Sequence, residues 1–96
     1  MVKKKSINQK PNITIITVVK NDQNKILKTL KSVFAQTYKN FEYIVVDGKS
    51  KDKTLKILKD NKKNIDLLIS QNDKNLWEAM NKGISKSKGN IIGFVN

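Results

Sequence analysis

The chain has 96 residues, a net charge of +12, and neither cysteine nor histidine. One domain with a modest core fits that length, while disulfides, thiolate metal sites and histidine general bases are excluded. All the positive charge is lysine, so the planar, bidentate reading of phosphates and bases that arginine provides is missing. The lysines are spread along the chain, mixed with Asn and Ile, and read first as a solvated basic surface. The alternative is a module that binds nucleic acid or an anionic membrane surface.

In chain order, "MVKKKSINQKP" is basic and lacks the apolar stretch of a signal peptide, so residues 1 to 11 are expected to form a loose arm. No apolar run reaches the ~20 residues of a spanning helix, and a cytoplasmic location, if need be at the inner membrane face, is the expectation. "NITIITVV", residues 12 to 19, is a β-branched run with the composition of a strand buried on both faces. Asn21 and Asp22 can cap a helix in which Ile26, Leu27, Leu30, Val33 and Phe34 face inward and Lys25, Lys28 and Lys31 face water. That helix is expected to end near Gln36.

"FEYIVVD", residues 41 to 47, is a second strand. Ser50 is placed to cap a second helix with the apolar stripe Leu55, Ile57 and Leu58. "IDLLIS", residues 65 to 70, is a third strand. Asp73 or Asn75 then starts a third helix whose inward residues are expected to be Leu76, Trp77, Met80 and Ile84. Gly89 suits the left-handed residue that ends it. "NIIGFVN", residues 90 to 96, begins as a fourth strand.

Short apolar strands alternating with helices indicate β-α-β units and an α/β, doubly wound (Rossmann-like), mostly parallel sheet of about four strands and three helices. Its ligand crevice is expected at the carboxyl ends of the strands. Asp22, Asp47 and Asp52 fall there. For Asp22 and Asp52, capping and the helix dipole are sufficient reasons. Asp47 ends a strand and precedes Gly48, where backbone can approach a ligand, so a base or ribose is the expected partner of its carboxylate. "DGKSKDKT" contains Gly, Lys and Ser but lacks the earlier glycine of a P-loop.

From residue 12 to 96 the chain resembles the N-terminal part of the family 2 glycosyltransferases, inverting, nucleotide-sugar-dependent enzymes of the GT-A fold. The strings "ITIITVVKND", "SVFAQTYKNFEYIVVDGKSKDKT" and "ISQNDKNLWEAMNKGISKSKGNIIGFVN" carry the resemblance. It implies that Val18 to Asn21 and Asp47 with Gly48 line a nucleotide pocket, that Ser50 and Asp52 match the same loop, and that Asp73, Lys74 and Asn81 belong to a segment closing over the nucleotide. Asn81 has a packing role as its alternative. Lys20, Lys49, Lys53, Asn75 and Glu78 depart from the family pattern, which usually has Tyr, small residues, Gly and Asp there.

In the family the fourth strand runs into an acidic motif that binds Mg²⁺ or Mn²⁺ and clamps the donor diphosphate. Here "GFVN" stops at Asn96, just before that motif would fall, and no family base is present. The resemblance therefore implies the donor-nucleotide half of a transferase, a truncated gene product or a cloned piece, serving a glycan or lipid-linked acceptor in cell-surface polysaccharide synthesis. Weak binding of a nucleotide-diphosphate sugar, most naturally UDP-type, is expected, with no tightly held metal and no transfer by this chain alone. The other readings are the lysine-rich module above, with nucleic acid the poorer partner because the aromatics sit at core-like positions, and an inert remnant. An open sheet edge also allows self-association.

Overall fold

The structure, a computed structural model, describes residues 11–96; most of the expected N-terminal arm lies outside the described residues. Four strands form one sheet in the order β3-β2-β1-β4: β1 (Ile13–Val19), β2 (Phe41–Asp47), β3 (Leu67–Ser70) and β4 (Ile91–Phe94). Every pairing is parallel, with Ile13 opposite both Phe41 and Ile91, and Asp47 opposite Ser70. The helices are α1 (Ile26–Phe34), α2 (Thr54–Asp60) and α3 (Leu76–Lys86). The expected α/β architecture is therefore present, with the central strands β1 and β2 nearly continuous in hydrophobic residues because both of their faces are covered.

Strand alternation divides the core in two. Tyr43 and Val45 pack with Ile26, Leu30, Val33 and Leu58, the inward residues of α1 and α2. Ile16, Ile44 and Val46 pack on the other face with Ala79 of α3. The connections β1–α1–β2–α2–β3 thus run along one side of the sheet, and β3–α3–β4 returns across the other. The strand order reverses beside β1, where such sheets open a crevice.

Several local expectations are corrected. Leu76, Trp77 and Ile84 are 55%, 71% and 40% exposed, so none of them is a core residue. The helix seats itself through small residues: Ala79 and Gly83 are buried, and a Cβ on Gly83 would lie 2.8 Å from Ile16 Cγ2. Close approach by two small side chains one turn apart displaces the bulky apolar residues to the flanks. Gly89 does not adopt the left-handed conformation, since no described glycine has positive φ. It is instead pressed against β1. Ser50 does not cap α2, which begins at Thr54, and α3 is capped by Asn75, not Asp73. The third strand starts at Leu67 because Asp66 turns its carboxylate to accept from the Tyr43 amide at 2.7 Å.

Tyr43 is fully buried, and its hydroxyl is 2.7 Å from Thr17 Oγ1. Burial pushes its pKa up from 10.0 to about 12, with the Thr17 hydrogen bond opposing part of the rise. A folded pKa above the unfolded one means that the associated stability is present in full below pH 10 and is lost as pH rises toward 12. Urea unfolding at pH 9 and pH 11.5 should show wild type losing about 2 kcal/mol more than Tyr43→Phe over that interval. Equal losses in the two proteins would contradict this assignment.

Candidate functional site

The carboxyl ends of β1 and β2 are held together by a lattice of loop hydrogen bonds. Asn21, with φ 51°, donates its amide to Ser50 Oγ at 2.8 Å and accepts the Lys51 amide at 2.7 Å through Oδ1. The Asp22 amide donates to Thr54 Oγ1 at 2.7 Å, and the Gln23 amide to Asp52 Oδ2 at 3.2 Å. Asp52 also accepts the Thr54 amide at 2.9 Å. Partial desolvation pushes the Asp52 pKa upward, but the hydrogen bonds from Thr54 and from the Thr54 and Gln23 amides outweigh it, so the carboxyl titrates below its usual range.

Asp47 anchors this lattice from below. It shares the alternation of Tyr43 and Val45, facing the α1–α2 side, and is fully buried. Its carboxylate accepts the Ser50 hydroxyl, the Ser50 amide at 3.1 Å and the Ser70 hydroxyl at 2.8 Å. The acid that interrupts the hydrophobic strand is therefore the internal acceptor around which the following loop folds. Its neighbour Gly48 presents backbone to the crevice in its place.

That crevice has a volume of about 270 Å³ and is bounded by Val18, Val19 and Lys20 after β1, by Gly48 after β2, and by Asp73 to Leu76 and Ala79. Val18, Leu76 and Ala79 supply apolar walls, and Lys20 and Lys74 supply cationic side chains. Asp73 is neutralised by Lys82, whose ammonium is 2.9 Å from its carboxylate. The segment that forms the far wall is stiffened by its own cap: Asn75 Oδ1 accepts the Glu78 amide at 3.0 Å, and Glu78 Oε1 accepts the Lys74 amide at 3.1 Å.

Of the residues singled out from sequence, Val18, Gly48, Asp73 and Lys74 line the crevice. Asn21, Asp47, Ser50 and Asp52 form the supporting lattice behind it. Asn81 is exposed on α3 and is not among the lining residues. Val19 and Lys20, inside the expected Val18 to Asn21 stretch, line the crevice too, whereas Asn75 and Leu76 are wall residues that the sequence did not single out as such. Lys20 is both a lining residue and a departure from the family pattern, and Leu76 has the hydrophobicity of a core residue.

Lys49 occupies the left-handed region with φ 59°, where a side chain is disfavoured and glycine is not. Lys49→Gly should therefore raise stability by about 0.5–1 kcal/mol, read as a shift of the urea midpoint at constant slope. A loss of stability would mean that the Lys49 side chain contributes a contact larger than the backbone strain.

Among the described residues, no group of three Asp or Glu side chains comes together to hold a metal ion. With Asp47 occupied internally and Asp73 paired, the side chains present do not fit a divalent cation.

A parallel sheet with an apolar, lysine-rimmed crevice at the carboxyl ends of β1 and β2 defines an α/β domain with an open cleft at its carboxyl edge. Comparison with known proteins gives that class its family. The description of glycosyl transferase family 2 matches residues 14–96, and the chain belongs to this family. It is 38% identical over 87 residues to the glycosyltransferase GlyA of Streptococcus pneumoniae, covering 88% of this chain and 12% of that protein. It is 33% identical over 91 residues to the glycosyltransferase AglE of Haloferax volcanii, covering 90% of this chain and 30% of that protein. Among solved structures, Staphylococcus aureus TarS superposes with a TM-score of 0.78 at 25% identity, over 88% of this chain and 26% of that one. The mannosyltransferase PcManGT of Pyrobaculum calidifontis, solved with GDP-Man and Mn²⁺, superposes with a TM-score of 0.73 at 23% identity over the same 88% and 26%. The chain thus spans a third or less of the length of these relatives.

Proposed function

We propose that the crevice receives the nucleotide end of a nucleotide-diphosphate sugar, UDP-type in the first instance, as the donor side of a family 2 glycosyltransferase. The observation that carries this reading is the placement of Lys20, Gly48 and Lys74 around one apolar cleft at the carboxyl edge of a parallel sheet. Val18, Leu76 and Ala79 would sandwich the flat base, Gly48 would let it approach the backbone, and the two ammonium groups would face the diphosphate. Membership of the family and the nucleotide sugars in the solved structures of TarS with UDP-GlcNAc and PcManGT with GDP-Man support it.

Sugar transfer to a glycan or lipid-linked acceptor in cell-surface polysaccharide synthesis is the activity this half-site would serve. The 96-residue chain alone would bind without transferring. No described carboxylate cluster could hold the cation that, in the family, neutralises the leaving diphosphate. Isothermal titration with UDP, UDP-GlcNAc, GDP and GDP-Man should detect binding on the order of 0.1 mM for at least one nucleotide, weakened by Lys74→Ala. Absence of heat for all four with demonstrably folded protein would refute the binding reading. Sugar release or transfer by the isolated chain would refute its predicted inactivity.

A further inference from the structure

The lysines are not distributed evenly over the fold. On the side of the sheet covered by α1 and α2, Lys25, Lys28 and Lys31 are exposed along α1, and Lys59, Lys62 and Lys63 are exposed at the end of α2 and in the turn after it. Lys28 and Lys31 stand opposite the buried stripe Ile26, Leu30, Val33 and Phe34, so their ammonium groups project away from the sheet. Of the acidic side chains on this layer, Asp60 pairs with Lys56 at 2.8 Å, Asp52 and Asp66 accept backbone amides, and Asp22 lies half-buried before α1. On the α3 side the balance differs, because Lys82 is neutralised by Asp73 and Glu78 lies within the helix. Exposed lysines are denser on the α1–α2 face, although Lys74, Lys86 and Lys88 are exposed on the α3 side.

We infer that the outward face of α1 and α2 docks on an anionic lipid surface. Two neighbouring helices on one face of a sheet present a broad array of point charges, which matches the smeared negative charge of a bilayer leaflet. Leu27, 41% exposed and one turn before Lys31, adds an apolar side chain able to enter the headgroup boundary beside the ammonium groups. Nucleic acid is the poorer match. The chain has no arginine for bidentate contacts, and neither α1 nor α2 exposes an aromatic ring on which a base could stack. Docked in this way, the crevice stays open at the sheet's carboxyl edge, to the side of the contact plane. The inference stands apart from the nucleotide reading, since it uses none of the crevice residues.

The test is co-sedimentation of the full chain with vesicles of phosphatidylcholine alone and with 30% phosphatidylglycerol, a composition chosen for the experiment, across a salt series. Binding should require the anionic lipid and fade as salt shortens the screening length. Lys28→Gln/Lys59→Gln should lower the affinity for anionic vesicles roughly tenfold or more. Lys86→Gln/Lys88→Gln removes the same charge from the α3 side and should change it less than about threefold. These positions are exposed, and circular dichroism of each variant checks that the fold is kept. No binding to anionic vesicles overturns the inference, as do equal effects of the two double variants, which would reduce the attraction to net charge. Tighter binding of a single-stranded RNA oligonucleotide than of vesicles at the same salt would assign the face to nucleic acid and overturn it as well.

Discussion

Asp47→Ala is expected to destabilise the chain by about 2–4 kcal/mol, enough to lower Tm by roughly 10–25 °C for a domain of this size. The carboxylate is buried and accepts two donors from Ser50 and one from Ser70. Alanine leaves all three without that acceptor in a place where few waters can replace it. It also frees Ser50, whose Oγ holds the Asn21 amide, so the β1 and β2 loops lose their common anchor. Asp47→Asn retains one oxygen and should cost about half as much, and Ser70→Ala, which removes one hydroxyl, about 1 kcal/mol. Urea unfolding of the three variants gives the ranking. If Asp47→Ala cost no more than Ser70→Ala, the carboxylate would not be the anchor that its contacts describe.

The second large effect is expected at Gly89. A Cβ there would lie 2.7 Å from both the Thr14 amide nitrogen and Thr14 Oγ1, and 2.8 Å from the Ile13 carbonyl carbon. These are atoms of the central strand, paired on both sides, and they cannot withdraw. Moving Gly89 away instead would break the bond from its amide to Thr14 Oγ1, 2.9 Å long, and disturb Glu42, which accepts from the Thr14 hydroxyl and the Lys88 amide. Gly89→Ala should therefore cost about 2–4 kcal/mol. Gly83→Ala makes a useful contrast, because its contact is with the Ile16 side chain and helix propensity returns up to about 1 kcal/mol. The ordering expected in urea is Gly89→Ala well below Gly83→Ala. A reversal would mean that the segment before β4 yields more easily than the seat of α3.

Much of the architecture was legible in the sequence because it rests on periodicity. The runs around Ile16 and Ile44 have the continuous apolar composition that only a doubly covered parallel strand requires, and of the expected inward stripe of α1, Ile26, Leu30, Val33 and Phe34 are buried while Leu27 is 41% exposed. The seat of α3 was not legible. Hydrophobicity favoured Leu76 and Trp77, while the helix packs through Ala79 and Gly83, whose value lies in being small, a property a hydrophobic pattern does not score. Gly89 was misread for a related reason: a glycine after a helix suggests positive φ, but here it is needed for close approach to another strand. At the site, the position of Asp47 on the sheet's carboxyl edge followed from the strand pattern. Its partners did not, since the Ser70 contact depends on the β2–β3 register and the side to which its carboxylate turns depends on alternation counted from the core.

The position of β1 has a consequence for how the chain acquires its shape. Its hydrogen-bonding groups are shared between β2, some thirty residues downstream, and β4, whose Phe94 lies opposite Ile16 across almost the whole length of the chain. During synthesis, one flank of β1 stays open until β4 emerges. Formation of the native sheet is therefore governed by a long-range closure, and a nascent chain halted before residue 91 would expose a bare β1 edge to its neighbours on the polysome.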